Sequence, residues 1–192
     1  MKGYKDINMY YGNIKTYDIA NGPGVRVSLF VSGCRLHCPN CFNKVAQDFS
    51  YGSLFSEETK NFIWNELNKA EVKGLTILGG EPFEPENIKE LEGFIIETKE
   101  KFPTKTIWMY SGYRFELLWN REDCKRVFDY IDVLVDGPFK EELKNPSLAF
   151  RGSSNQRIIN MRSTMNLIRI KYAVSRTLKG CIVKFDDSIF AN

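Results

Sequence analysis

Between Val25 and Asp136 the chain alternates short apolar runs with longer stretches whose apolar residues recur every three or four positions, and this alternation restricts the fold more than any other feature. In GVRVSLFVSG, Val25, Val27, Leu29 and Val31 alternate as a strand should. Ser56 is placed to cap a helix, with Glu57 and Glu58 in its first turn, and Phe62, Ile63, Leu67 and Ala70 recur at helical spacing up to Gly74. LTIL, Leu75 to Leu78, is a short strand ending at Gly79-Gly80. Pro85 opens a second helix with Ile88, Leu91, Ile95 and Phe102 on one face, and Pro103 stops it. TIWMY, Thr106 to Tyr110, is the third strand. A third helix from about Phe115 carries Leu118, Val127 and Ile131, and DVLVD, Asp132 to Asp136, is the fourth strand.

Such a βαβαβαβ order builds a parallel sheet through right-handed crossovers. Four units are too few to close an eight-stranded barrel, so the fold expected is α/β: an open parallel sheet forming a partial (β/α) barrel. No Pro/Gly/Ser-rich linker divides the 192 residues, so residues 1–192 are read as a single domain. The unusual residues each follow a predicted strand: Cys34, Cys38 and Cys41; Gly79 to Phe83; Ser111 to Tyr113; Asp136 to Phe139. Ligands bind at the carboxyl ends of parallel strands, so these segments are expected to converge on one site.

Bulk properties narrow the setting. A net charge of +3 gives no whole-chain footprint for nucleic acid. MKGYKDINMYYG is interrupted by charges and reads as neither a signal peptide nor a membrane span, which points to the cytoplasm. Five cysteines, three of them in one loop, argue for reduced thiols and a metal site over a disulfide framework.

That loop, GCRLHCPNCFN, offers three thiols and no fourth at comparable spacing. Structural zinc needs a closed tetrahedral set, and the one nearby candidate, His37, adjoins Cys38 directly. Three thiolates suit an iron–sulfur cube whose fourth iron stays open for chemistry. Cys124 and Cys181 are isolated and read as ordinary free thiols.

The spacing C-x3-C-x2-C after a first strand, with GGEP after the second, resembles the radical S-adenosylmethionine superfamily. NGPGVRVSLFVSGC, LGGEPF, WMYSGY, LVDGPF and FRGSSNQR are similar, within it, to the activating proteins of anaerobic ribonucleoside-triphosphate reductase, over about Asn8 to Asn160. The resemblance implies a [4Fe-4S] cluster on Cys34, Cys38 and Cys41, with S-adenosylmethionine chelating the open iron. It also implies reductive cleavage of that cofactor to a 5′-deoxyadenosyl radical, which takes hydrogen from a glycine of the partner reductase. A one-electron donor such as flavodoxin would supply the electron.

For the cofactor pocket the resemblance implies that Gly79 and Gly80 let backbone approach a ligand, that Glu81 accepts from the cofactor's amino group, and that Pro82 ends the ladder. Ser111 is expected to hydrogen-bond the cofactor, and Asp136 to lie near its carboxylate. Related activases often carry a lysine where this chain has Pro138, so the carboxylate clamp must come from elsewhere or be water. Asn40 stands where many members place an aromatic against the adenine; Phe42 either substitutes or packs in the core. His37 is a loop residue or a donor behind the ligands. Asn155, Gln156 and Arg157 are expected to dock the partner or touch the cofactor. From Arg151 to Lys184 there is no acid, while Arg157, Arg162, Arg169, Lys171, Arg176 and Lys179 are basic: a solvated face, or a dock for an acidic partner surface. Two other functions stay open, a small-molecule radical enzyme of the deazaguanine-synthase type and a non-catalytic electron-transfer or zinc module.

Overall fold

The apolar alternation of VRVSLFV becomes a strand whose Val27, Leu29 and Val31 are fully buried in the core. A computed structural model of the protein describes residues 8–177, the side chains of 173–177 excepted. Residues 1–7 of the N-terminal reading, Cys181, Lys179, Lys184 and the side chain of Arg176 lie outside the described residues. In chain order the elements are β1 (Tyr10–Asp18), β2 (Val25–Val31), β3 (Ser53–Leu54), α1 (Glu57–Leu67), β4 (Val72–Gly79), α2 (Pro85–Lys101), β5 (Thr106–Tyr110), α3 (Phe115–Trp119), α4 (Glu122–Lys125), β6 (Val133–Asp136), β7 (Arg157–Asn160) and α5 (Met161–Thr177).

The strands form one seven-stranded sheet in the order β3-β1-β2-β4-β5-β6-β7. Its centre, β2, β4, β5 and β6, is parallel as expected. Its margins correct the all-parallel expectation: β1 runs antiparallel to β2 and β3, and β7 antiparallel to β6. Among the described residues the sheet is open and mixed, and no pairing closes a barrel. One core joins its helix-covered face to the helices, with Leu29, Ile77 and Met109 of the sheet meeting Ile63 and Leu67 of α1 and Leu91, Phe94 and Ile95 of α2.

Two helices differ from the periodic reading. Ser56 does cap α1, in a reciprocal capping box with Thr59, but the helix ends at Leu67 and the chain is extended again by Val72. Its core face is Ile63, Trp64 and Leu67, whereas Phe62 and Ala70 are exposed. The single third helix is instead α3, α4 and a 3-10 turn at Val127–Asp129. A continuous helix would separate residues 115 and 128 by roughly 20 Å along its axis. Here the Phe115 and Phe128 rings meet edge to face at 5.1 Å, with Phe83 stacked on Phe128 at 5.7 Å, so the chain must fold back. Among the described residues no helix is long and apolar enough to cross a membrane.

Candidate functional site

β2 runs out at Val31, and the cysteine loop follows at once. Backbone bonds anchor both its ends: the Gly33 N–H donates to Ala46 O (2.8 Å), the Cys34 N–H to Gln47 O (3.2 Å), and the Glu81 N–H to Gly33 O (2.8 Å). The last of these ties the loop to the turn after β4. Gly80 must be glycine for this contact, since a Cβ there would lie 2.5 Å from Gly33 O and 2.9 Å from Ala46 O. At Gly79, φ is +116° and a Cβ would lie 2.6 Å from Val31 O. Gly79 thus packs on the end of β2 and Gly80 on the cysteine loop's backbone, and both also line a cavity beside that loop.

A charged staple fastens the same loop to α2. The Glu84 carboxylate, 2 % exposed, accepts from the Arg35 N–H (2.8 Å) and from Arg35 Nη1 (2.7 Å), while Glu86 takes the other side of the guanidinium. Arg35 also lies 4.2 Å over the Phe49 ring. Neither Arg35 nor Glu84 was singled out in the sequence, although an acid just before the helix-opening Pro85 was a usable signal.

Cys34, Cys38 and Cys41 are free, half-buried thiols. All three line one cavity of about 370 Å³, within the range of small-molecule sites, together with Gly79, Gly80, Glu81, Ser111, Gly112 and Gly137. The segments after β2, β4, β5 and β6 therefore do converge. Burial pushes the Cys34 thiol up to about 11, with Glu81, Glu84 and Cys38 adding to the effect, and burial likewise raises Cys38. His37 is exposed, its Nδ1 3.0 Å from Gln47 Oε1. Asn40 adopts a left-handed φ of 56°, which asparagine tolerates. Phe42 is not in the core: it is 91 % exposed at the cavity's edge.

Glu81 is wholly buried, and its carboxylate already serves the protein. Oε1 accepts from the Phe83 N–H (3.0 Å) and Ser111 Oγ (2.9 Å), and Oε2 from the Gly112 N–H (2.7 Å). It thus locks the turn after β4 to the turn after β5. Burial pushes its carboxyl up to about 7, against the lowering influence of the same three donors.

Asp136 is held by partners within the chain. Its side chain is fully buried and both oxygens are bonded: Oδ1 accepts from Arg157 Nε (2.9 Å), and Oδ2 from the Phe115 N–H (2.7 Å) and from Arg157 Nη2. Arg157 completes its fork on Glu116 (2.8 and 2.9 Å). Asp136 therefore supports the site from behind; its neighbour Gly137 lines the cavity. Asn155 and Gln156 donate to Pro138 O (2.7 Å) and Gly137 O (3.2 Å), and Gln156 also lines the cavity. Of the basic run, Arg157 and Arg169 are neutralised within the molecule, the latter by Asp129, which weakens the case for a dock. Cys124 is buried among apolar residues, as a free thiol was expected to be.

Comparison with known proteins bears on this geometry. Residues 20–159 match the family described as a 4Fe-4S single cluster domain. The anaerobic ribonucleoside-triphosphate reductase-activating protein of Escherichia coli K12 is 39 % identical over 156 residues, 80 % of this chain and all of the relative. Proteins of the same name from Enterobacteria phage T4 (39 %; 78 % of this chain, 93 % of the relative) and Haemophilus influenzae (41 %; 72 % and 90 %) agree. The chain belongs to this activating-protein family. The family match begins beside β2 and ends in β7, so it takes in every segment that lines the cavity.

Proposed function

We propose that the protein activates an anaerobic ribonucleoside-triphosphate reductase by generating a glycyl radical on it. The observation that carries this is the convergence of three free thiols from one loop on a cavity shared with Glu81 and Ser111, in a chain of the activating-protein family with a 4Fe-4S domain.

The donor chemistry fits a cluster. Among the described residues no three His, Cys, Asp or Glu side chains gather around a point that could hold a single ion, as zinc would require, whereas a cube takes each thiolate on a separate iron. Cys34, Cys38 and Cys41 would hold it. Held there, the cluster would supply the one-electron reduction that cleaves S-adenosylmethionine, the source of the radical chemistry needed at a reductase glycine. This chain's residues bind and orient. A carboxylate has about four acceptor positions, and Glu81 uses three, leaving one for the cofactor's ammonium. Gly79, Gly80 and Ser111, small at the cavity wall, leave room for the cofactor's bulk. The open sheet, a barrel sector in this reading, leaves a way in for a polypeptide loop. The protein would work as a single domain in the cytoplasm, with a one-electron donor such as flavodoxin.

Mixed without oxygen with a competent reductase, S-adenosylmethionine and a strong reductant, the cluster-replete protein is expected to release methionine and 5′-deoxyadenosine. A glycyl radical should then appear on the reductase by electron paramagnetic resonance. Cys38→Ala should abolish both. Cofactor cleavage without that signal, alongside turnover of a small heterocycle, would replace this reading with the small-molecule radical enzyme.

A further inference from the structure

The segment Phe150 to Arg157 spends nearly all of its polar groups on its own folding. Phe150 O accepts from the Tyr110 hydroxyl (2.8 Å), and Ser153 Oγ accepts from the Lys140 N–H (3.2 Å). Gln156 Oε1 accepts from the Gly152 and Ser153 N–H groups (2.8 and 3.1 Å). Asn155 and Arg157 are tied to Pro138 and Asp136.

Arg151 is different. It lines the cavity and, among the described residues, is the only Lys, Arg or His to do so. Among the described residues Nη1 alone has a partner, Gln156 O at 2.8 Å, and Nε is buried with none. None of the carboxylates of the described residues pairs with it, although twelve such ion pairs form elsewhere. A buried guanidinium N–H without an acceptor is costly and uncommon in a native structure. The backbone bond on Nη1 holds the group in place, and the Nε–Nη2 edge, the fork that matches a carboxylate, is the one left over.

Its location is specific as well. Gly152 lies against the Phe139 ring, where a Cβ would come within 3.2 Å, and Phe139 and Cys38 line the same cavity. The arginine thus sits beside a glycine that shares this cavity with the cysteine loop.

We infer that Arg151 binds the carboxylate of the methionyl end of S-adenosylmethionine. The inference rests on the proposed function, which puts that cofactor in this cavity, and the carboxylate is the cofactor's one anionic group.

The test is anaerobic calorimetry on cluster-replete protein with two probes, S-adenosylmethionine and its decarboxylated analogue, which keeps the sulfonium and the adenosine. Arg151→Gln is expected to weaken S-adenosylmethionine at least about tenfold, the loss of a charge-assisted bond, and the analogue by less than about threefold. Arg151→Lys should fall between, because it keeps the charge and loses the fork. Iron content and melting temperature establish that both variants are folded and loaded. Equal losses for both probes would make Arg151 a support for the loop or a counter-charge to the cluster, and an unchanged affinity would remove it from the site; either overturns the inference alone. Failure of the wild type to bind S-adenosylmethionine would overturn the proposed function and the inference together.

Discussion

Glu81 shows how far a single residue could be read. Its place after β4 and beside the cysteines was legible, because GGEP follows an apolar strand directly. Its burial and its bonds to Ser111 and Gly112 were not, because they join segments about thirty residues apart that only the sheet brings together. Arg26 was illegible for the same reason: it sits fully buried on β2, bonded to Thr76, Thr106 and Leu75 O, where alternation alone suggested a solvent-facing position. The raised Glu81 carboxyl has a consequence for stability. With an ordinary value of 4.5 in the unfolded chain and about 7 in the folded one, the native state holds the proton more tightly. The stabilisation is therefore complete below pH 4.5 and is lost as pH rises through 7, on the order of 3 kcal/mol in all. In the cluster-free protein, urea unfolding across this range should show that decline in the wild type and not in Glu81→Gln, which has no proton to lose. Parallel declines in the two proteins would assign the effect to another group.

Among the elements, the cysteine loop depends on the start of α2 more than its sequence suggests. Residues between the anchored ends of the loop make few backbone bonds, among them the Cys41 N–H to Cys38 O, so side chains must hold it. Glu84 does so with three donors, the Arg35 N–H, Arg35 Nη1 and the Tyr113 hydroxyl. Removing this buried acceptor strands them, and Glu84→Ala is expected to cost about 2–4 kcal/mol. Arg35 is 51 % exposed, and Arg35→Ala keeps the backbone N–H bond, so its loss should stay under about 1 kcal/mol. Urea midpoints of the two variants check the order; an Arg35 effect equal to or larger than that of Glu84 would mean the guanidinium, not the carboxylate, is the anchor. The same dependence on distant partners explains why the third helix was misread. Its apolar spacing suited one helix, but the aromatic cluster of Phe83, Phe115, Trp119 and Phe128 forms only if the chain turns back twice.

In the molecule as a whole, the parallel centre was legible because β4, β5 and β6 are dense apolar runs bounded by glycine, proline or aspartate. The antiparallel margins were not. β1 is mostly half-exposed and carries no apolar stripe, and β7 is four residues long with Ile159 alone in the core. β7 can pair antiparallel with β6 because residues 137–156 return the chain without the helical crossover that a parallel partner needs. Asp136 and Arg157 face each other in that pairing, so one ion pair joins the sheet's far margin to α3 through Phe115 and Glu116. Truncating one partner of such a buried pair should be expensive: Asp136→Ala is expected to cost about 3–5 kcal/mol, since it leaves Arg157 without its main counter-charge. Arg157→Leu in the same chain should return part of that loss, giving a coupling energy of at least about 1–2 kcal/mol in a double-mutant cycle of urea unfolding. A carboxylate that instead contacted the cofactor would behave otherwise. Asp136→Ala would then weaken S-adenosylmethionine binding with little change in stability, and the cycle with Arg157 would close near zero.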